Sequence, residues 1–98
     1  MIKYRFLTPA EDEITEAALF YDDAAVGLGS DFLIDLQRCI NYLRRYPKAG
    51  TPITADLRRM PLHRFPFNII YSEQPSSILI VSVAHHSKRP DYWRSRIL

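Results

Sequence analysis

The sequence predicts an α+β domain, in which a mostly antiparallel sheet carries a helical hairpin on one face. Apolar residues at helical spacing are confined to residues 8–45, and runs typical of strands lie before and after them. The run from Ile78 to Ala84 is apolar apart from Ser82 and rich in β-branched residues, which is typical of a central strand covered on both faces. The expected order is therefore β-α-α-β-β-β with a short tail, in a single domain over residues 1–98.

The first strand and the first helix are predicted by local patterns. Residues 2–6 alternate apolar and basic side chains, which predicts a half-buried strand. Thr8-Pro9-Ala10-Glu11 predicts a helix start with a capping box and a proline in the first turn. The apolar face of this helix consists of Ile14, Ala17, Ala18, Tyr21 and Ala25. The remaining face is strongly acidic and is interpreted as solvated, although a basic partner could also bind it.

Gly27-Leu28-Gly29 separates this helix from a second one, which Pro47 ends. The apolar face of the second helix consists of Leu28, Phe32, Leu36, Cys39, Ile40 and Leu43. Cys39 is therefore expected to be a small core residue and not a nucleophile. Arg44 and Arg45 suit the negative end of the helix dipole.

The second half of the chain reads as loop followed by strands. Residues 48–56 are rich in proline, glycine and threonine and are expected to form a loop. Residues 57–62 look extended, and Pro61 indicates an edge strand or a bulge. Residues 67–72 form a strand that a turn at 73–76 joins to the central strand as a hairpin. Pro90 is expected to begin a short helical turn that runs to Arg96.

Composition limits the class of protein. A hydrophobic content of 47% argues against disorder. No apolar run approaches the roughly 20 residues of a membrane span, and the first residues do not resemble a signal peptide. Cys39 is the only cysteine, so that no intrachain disulfide can form. We expect a soluble, cytoplasmic protein without membrane association.

The net charge of +2 conceals an uneven distribution. Residues 1–35 contain two basic and eight acidic side chains (−6), whereas residues 36–98 contain eleven basic and three acidic ones (+8). A basic half with aromatic residues among the cations favours a charged partner, such as a nucleic acid, an acidic protein surface or a ribosome. An ordinary solvated surface with uneven charge is the alternative.

The candidate site follows the central strand directly, in the segment from His85 to Trp93. Cleavage of RNA without a metal would need a base, a phosphate-binding cation and an acid, for which His86, Arg89 or Lys88, and Tyr92 are the candidates. His85 and Trp93 are instead interpreted as a strand-end residue and a core residue. No metal or cofactor is expected, because adjacent histidines lack the usual zinc-ligand spacing and no phosphate-binding glycine loop is present.

Several motifs in this order resemble the RelE/ParE toxin superfamily of type II toxin–antitoxin systems. They are Phe65-Pro66-Phe67-Asn68-Ile69-Ile70-Tyr71, Val83-Ala84-His85 and Lys88-Arg89-Pro90-x-Tyr92-Trp93-x-x-Arg96. Thr8-Pro9-Ala10, Tyr21 and Gly27-Leu28-Gly29-x-x-Phe32 agree best with the ParE-like branch, whose members are often labelled plasmid stabilisation proteins. The resemblance covers nearly the whole chain.

This resemblance implies a growth-inhibiting toxin that a cognate antitoxin protein neutralises in a hetero-oligomer. ParE-like members poison DNA gyrase without catalysis, and RelE-like members cut messenger RNA on the ribosome. RelE-type nucleases commonly carry an arginine where this chain has Asn68, and neutral asparagine cannot hold a phosphate by charge-assisted contacts. A gyrase poison is therefore the first hypothesis, with a ribosome-dependent, metal-independent endoribonuclease and a non-toxic basic nucleic-acid-binding domain as the alternatives.

The residues expected to bind the target are cations with one aromatic residue, and they are predicted to form one exposed face. They are Arg58, Arg64, Lys88, Arg89, Tyr92 and Arg96. If the protein is a ribonuclease, the catalytic residues are expected to be His86, Arg89 and Tyr92.

Overall fold

The computed structural model describes residues 1–97 and confirms the predicted α+β class. The strands are β1 (Lys3–Phe6), β2 (Thr51–Pro52), β3 (Arg58–Pro61), β4 (Phe67–Gln74) and β5 (Ser77–His85). The helices are α1 (Thr8–Ala24) and α2 (Leu28–Arg45), and a 3₁₀ turn spans Arg94–Arg96. Along the described part of the chain, neither helix is long and apolar enough to cross a membrane.

The five strands form one sheet in the order β1-β5-β4-β3-β2. β1 pairs with β5 in parallel, and the other three pairings are antiparallel. β5 has a neighbour on each side, and Ile78, Ile80 and Val81 have no exposed surface. The prediction of a central strand covered on both faces is confirmed.

The helical hairpin covers one face of the sheet, and the C-terminal segment covers part of the other. On the helical face, the apolar side of each helix packs with Ile69, Tyr71 and Ile78. The opposite face has a smaller cluster of Leu57, Ile70, Val81 and Trp93. A bulge at Ile70/Tyr71 separates the two parts of the β4–β5 pairing, and Val81 is the unpaired residue.

Three local predictions need correction. The Thr8 side chain makes no capping hydrogen bond; instead the carbonyl of Leu7 accepts the N–H groups of Ala10 and Glu11. The predicted loop 48–56 contains β2, which covers β3, so β3 is not the edge strand over its full length. The turn between β4 and β5 is shorter than expected, because pairing continues to Gln74 and Ser77.

The two helices are joined by a tight turn in which both glycines have a defined role. Gly27 has a positive φ of 84°, which glycine adopts without steric cost. At Gly29 a Cβ atom would lie 2.4 Å from the carbonyl oxygen of Ala18, so only glycine allows α2 to approach α1 this closely. The Gly29 N–H also donates to Asp22 at 2.8 Å.

Candidate functional site

The candidate site is the segment 86–96, which leaves the end of β5 and crosses the sheet on the face opposite the helices. Backbone hydrogen bonds hold its start: the N–H of His86 donates to the Pro66 carbonyl at 2.8 Å, and that of Lys88 to the His85 carbonyl at 3.0 Å. Trp93 is 4% exposed and anchors the segment in the smaller apolar cluster, as predicted. The cations of this segment are thus carried on a backbone that the sheet holds in place.

His85 is a strand-end residue, also as predicted. Its Nδ1 accepts the backbone N–H of Ser87 at 3.0 Å and lies 2.8 Å from the Ser87 hydroxyl. Its ring packs edge-on against Phe67 with centroids 5.0 Å apart. These contacts make His85 part of the turn that begins the candidate site.

Glu13 of α1 holds the C-terminal segment against the sheet. Its carboxylate accepts hydrogen bonds from the Tyr92 hydroxyl, from Ser82 Oγ at 3.0 Å and from the Val83 N–H at 3.1 Å. The Arg96 guanidinium donates to both carboxylate oxygens, at 2.8 and 3.2 Å. Because the side chains of Arg96 and Glu13 are only 16% and 17% exposed, this is a largely buried ion pair.

This cluster forms where the sheet lacks a strand. β1 pairs with β5 only as far as Phe6 opposite Ile80, and β5 continues to His85 with no strand from residues 1–97 beside it on that side. The Val83 N–H is satisfied by Glu13, and the Val81 carbonyl accepts Arg96 Nη1 at 3.1 Å. Side chains of α1 and the tail therefore replace part of the missing strand.

The protonation behaviour of the cluster follows from its burial and its hydrogen bonds. The pKa of Tyr92 is raised, first by burial and then by its hydrogen bond to Glu13. The pKa of Arg96 is raised chiefly by its hydrogen bonds to Glu13. Tyr92 is therefore a neutral phenol whose hydroxyl is already hydrogen-bonded, and Arg96 is a cation whose charge is neutralised by Glu13.

The six residues predicted to bind the target do not form one exposed face. Arg96 pairs with Glu13, and Arg58 Nη1 donates to the carbonyls of Lys48 and Gly50 at 3.1 and 2.9 Å. Tyr92 is half-buried and packs against the smaller apolar cluster. The side chains of these three residues are engaged within the fold. The prediction that all six residues form one exposed surface is therefore wrong.

Arg64 is exposed but lies beside α2, where it is 3.9 Å from Asp31 and stacks 5.6 Å from the centre of the Phe65 ring. Lys88 and Arg89 are both exposed, and within residues 1–97 neither forms an ion pair. The Lys88 ammonium lies 5.9 Å from the centre of the Tyr92 ring. Lys88 and Arg89, here called the cationic turn, are the part of the predicted surface that the fold leaves available.

The three residues considered for RNA cleavage do share a small cavity of about 190 Å³ on this face. His86, Arg89 and Tyr92 line it together with Arg59 and Asn68. Arg58 was predicted to bind the target, whereas Arg59 was not. Strand alternation separates them: Arg58 pairs with Tyr71, which faces the helices, whereas Arg59 pairs with Ile70, which faces the tail.

Asp35 was also missed, although it is 4% exposed and charged. Its carboxylate accepts the backbone N–H groups of His63, Arg64 and Phe65 at 3.2, 2.7 and 3.1 Å. This shapes the β3–β4 loop, whose Pro66 carbonyl in turn binds the start of the candidate site. Asp35 lies three residues after Phe32 and four before Cys39, on the apolar face of α2, and a charged residue at such a position could have indicated a buried polar contact.

The described residues offer neither a metal-binding site nor a reactive thiol. Residues 1–97 contain no group of three His, Cys, Asp or Glu side chains placed to hold a metal ion. Burial, and then the nearby charge of Asp35, raise the pKa of Cys39 to about 12, and the residue packs against the core as predicted. A group with this pKa is a poor nucleophile near neutral pH.

Comparison with known proteins supports the fold. No protein-family model matches the sequence, and no curated protein matches it significantly. The structure is similar to a solved structure described as the chromosomal ParDE TA system from P. aeruginosa, with a TM-score of 0.74 and 16% sequence identity. The match covers 87% of this chain and 96% of that one. The chain has a ParE/RelE-like fold, as the resemblance predicted.

Proposed function

We propose that this protein is the toxin of a type II toxin–antitoxin module and that it acts by poisoning DNA gyrase. The observation that carries the proposal is the fold, which is shared over 87% of the chain with a protein from a ParDE TA system. The cationic turn supports it, because two exposed cations on a backbone held by the sheet suit a negatively charged target. The proposal predicts that the protein acts on cell growth, by arresting it, and not on a metabolic reaction.

An antitoxin has a suitable binding surface at β1. This strand lies at the edge of the sheet and carries exposed Lys3 and Arg5. Beside it, a groove of about 410 Å³ is lined in part by Phe6, Leu33 and Ile40. A largely disordered, acidic antitoxin segment could add a strand to β1, place apolar side chains in the groove and contact both cations.

Two features of the sheet face opposite the helices favour poisoning of gyrase over RNA cleavage. Asn68 stands where RelE-type nucleases commonly have an arginine, and it carries no charge. The Tyr92 hydroxyl, the candidate acid, is bonded to Glu13 and Ser82 and has a raised pKa. A phenol in that state is poorly placed to donate a proton to a leaving oxygen.

A ribosome-dependent endoribonuclease is the second candidate, and the small cavity is the observation that favours it. His86 and Arg89 line that cavity, and Arg59 supplies a cation next to the neutral Asn68. In such an enzyme His86 would transfer protons and the two arginines would hold the scissile phosphate.

Growth assays test the toxin proposal first. The gene is induced in its own host, alone and together with any small reading frame found adjacent to it. We expect arrest in the first case and normal growth in the second. Undisturbed growth under strong expression of the gene alone would contradict any toxic function and leave the non-toxic nucleic-acid-binding domain.

The target is then identified with purified protein. Inhibition of gyrase supercoiling, with no codon-specific cuts in a translation extract, is the expected result. Cuts in ribosome-bound message, lost in His86→Ala, would replace the gyrase proposal with the endoribonuclease.

Charge reversal tests the cationic turn directly. Lys88→Glu/Arg89→Glu should abolish toxicity with little change in stability, because exposed charges contribute little to folding. The matched control is Arg38→Glu/Arg45→Glu, which changes the net charge equally at exposed positions of α2 and should leave toxicity unchanged. Ile80→Asp should also abolish toxicity, but by unfolding, because it places a charge at a fully buried position. Circular dichroism separates the two causes, and a folded Lys88/Arg89 double reversal that still arrests growth would exclude this surface.

A further inference from the structure

A second groove, here called the α1–β5 groove, lies between α1 and the end of β5. It exists because β1 stops opposite Ile80 while β5 continues to His85. The groove has a volume of about 400 Å³. Its apolar lining includes Ala17, Phe20, Tyr21, Phe67 and Val83.

The outer surface of α1 continues this groove as an exposed stripe. At 100° per residue, Asp12, Glu16, Leu19, Phe20 and Asp23 fall within about 100° of the helix circumference. Leu19 is 62% exposed and Phe20 is 68% exposed, so two large apolar side chains lie side by side at the surface. Apolar side chains exposed together beside a groove are typical of a protein-binding surface.

The charge of this surface selects the kind of partner. Residues 8–24 contain no lysine or arginine, and within residues 1–97 Asp12, Glu16 and Asp23 form no ion pair. Lys88, on the opposite wall, is a cation among the lining residues. The stripe would attract basic groups and repel nucleic acid, anionic lipid and an acidic antitoxin segment.

We propose that the α1–β5 groove and the stripe bind a basic amphipathic helix of another protein. A helix fits better than an added strand, because the Val81 carbonyl and the Val83 N–H at this edge are already bonded to Arg96 and Glu13. Residues at i, i+4, i+7 and i+8 on α1 form the kind of ridge against which a second helix packs. This surface goes beyond the proposed toxin function, since its α1 stripe is opposite in charge to the β1 edge and to the cationic turn.

The probe is a fluorescein-labelled synthetic helix of about 18 residues, with leucines on one face and lysines on the other. A matched peptide carries glutamate in place of each lysine. Binding to the full chain is measured by fluorescence anisotropy at low salt, and the lysine peptide should bind while the glutamate peptide does not. Phe20→Ser should weaken binding about tenfold or more, as expected for a central apolar anchor.

Further variants test the charge and the location. Glu16→Gln/Asp23→Asn should weaken binding roughly fivefold at low salt and less at high salt, because screening removes the attraction. Tyr42→Ser, at a 52% exposed aromatic residue of α2, is the matched control and should leave binding unchanged. Thermal melts check that each variant folds, and amide shifts in NMR spectra should concentrate in residues 13–23 and 83–88.

Three results would overturn the inference: no binding of the lysine peptide, equal binding of both peptides, or equal losses in Phe20→Ser and Tyr42→Ser. None of these results bears on toxicity, which the growth and gyrase assays measure separately.

Discussion

Glu13→Gln should loosen the C-terminal segment and destabilise the whole domain. The substitution keeps the size of the side chain but removes its charge. It also replaces one of the two carboxylate oxygens that accept hydrogen bonds from the Arg96 guanidinium with an NH₂ group, which is a donor. Removing one partner of a buried ion pair costs about 3–5 kcal/mol, and slight exposure of both side chains places this pair at the lower end, about 3 kcal/mol. For a domain of this size, about 3 kcal/mol corresponds to a fall in Tm of roughly 12–24 °C.

The assay uses the single tryptophan of the chain as a local reporter. Trp93 belongs to the segment that Glu13 holds and is buried against the sheet, so its fluorescence reports on the packing of that segment, while circular dichroism reports on the helices. Urea titrations followed by both signals should show the loss of stability, with a red shift of tryptophan emission in Glu13→Gln. Glu16→Gln, the same change at an exposed residue of the same helix, is the control and should stay within about 0.5 kcal/mol of the native protein.

Removing both charges should cost less than removing one. Glu13→Gln/Arg96→Met leaves no uncompensated charge, so it should be more stable than Glu13→Gln alone. Equal stability of Glu13→Gln and Glu16→Gln would contradict this role of Glu13, and so would a double variant whose loss of stability is the sum of the two single losses.

Three further predictions concern buried groups. Asp35→Ala should cost about 3 kcal/mol, because three N–H groups lose their acceptor, and Asp56→Ala, at an exposed aspartate, is the control in urea titrations. Stability should fall as the pH rises above about 10, because the raised pKa of Tyr92 keeps its proton on the folded protein after the unfolded chain has lost it. Burial also raises the pKa values of Tyr21 and Tyr71, so Tyr92→Phe should reduce this slope in pH-dependent melts without abolishing it, and an unchanged slope would contradict the assignment. The Cys39 thiol, with a pKa of about 12, should react with iodoacetamide at pH 8 far more slowly than a free thiol, and rapid labelling of the folded protein would show that the pKa is not raised.

The sequence by itself determined the fold class, because the patterns that specify each element are local. Helical spacing defined the apolar faces of α1 and α2, and the β-branched run defined β5 as the buried central strand. The cationic turn was also found in this way, since exposed cations directly after a buried strand are visible along the chain. The two-residue β2 was missed because a strand of that length has no periodicity to detect.

Only the tertiary structure decided which charges remain available. In the sequence nothing distinguishes Glu13 from the other acidic residues of α1, and Arg96 was predicted to belong to a binding surface, yet they pair across 83 residues of chain. Likewise Arg58 and Arg59 are adjacent in sequence, but the register of β3 against β4 sends them to opposite faces of the sheet. No local pattern carries this information, because a charge is exposed or neutralised according to what packs against it, and packing joins residues that are distant in the sequence.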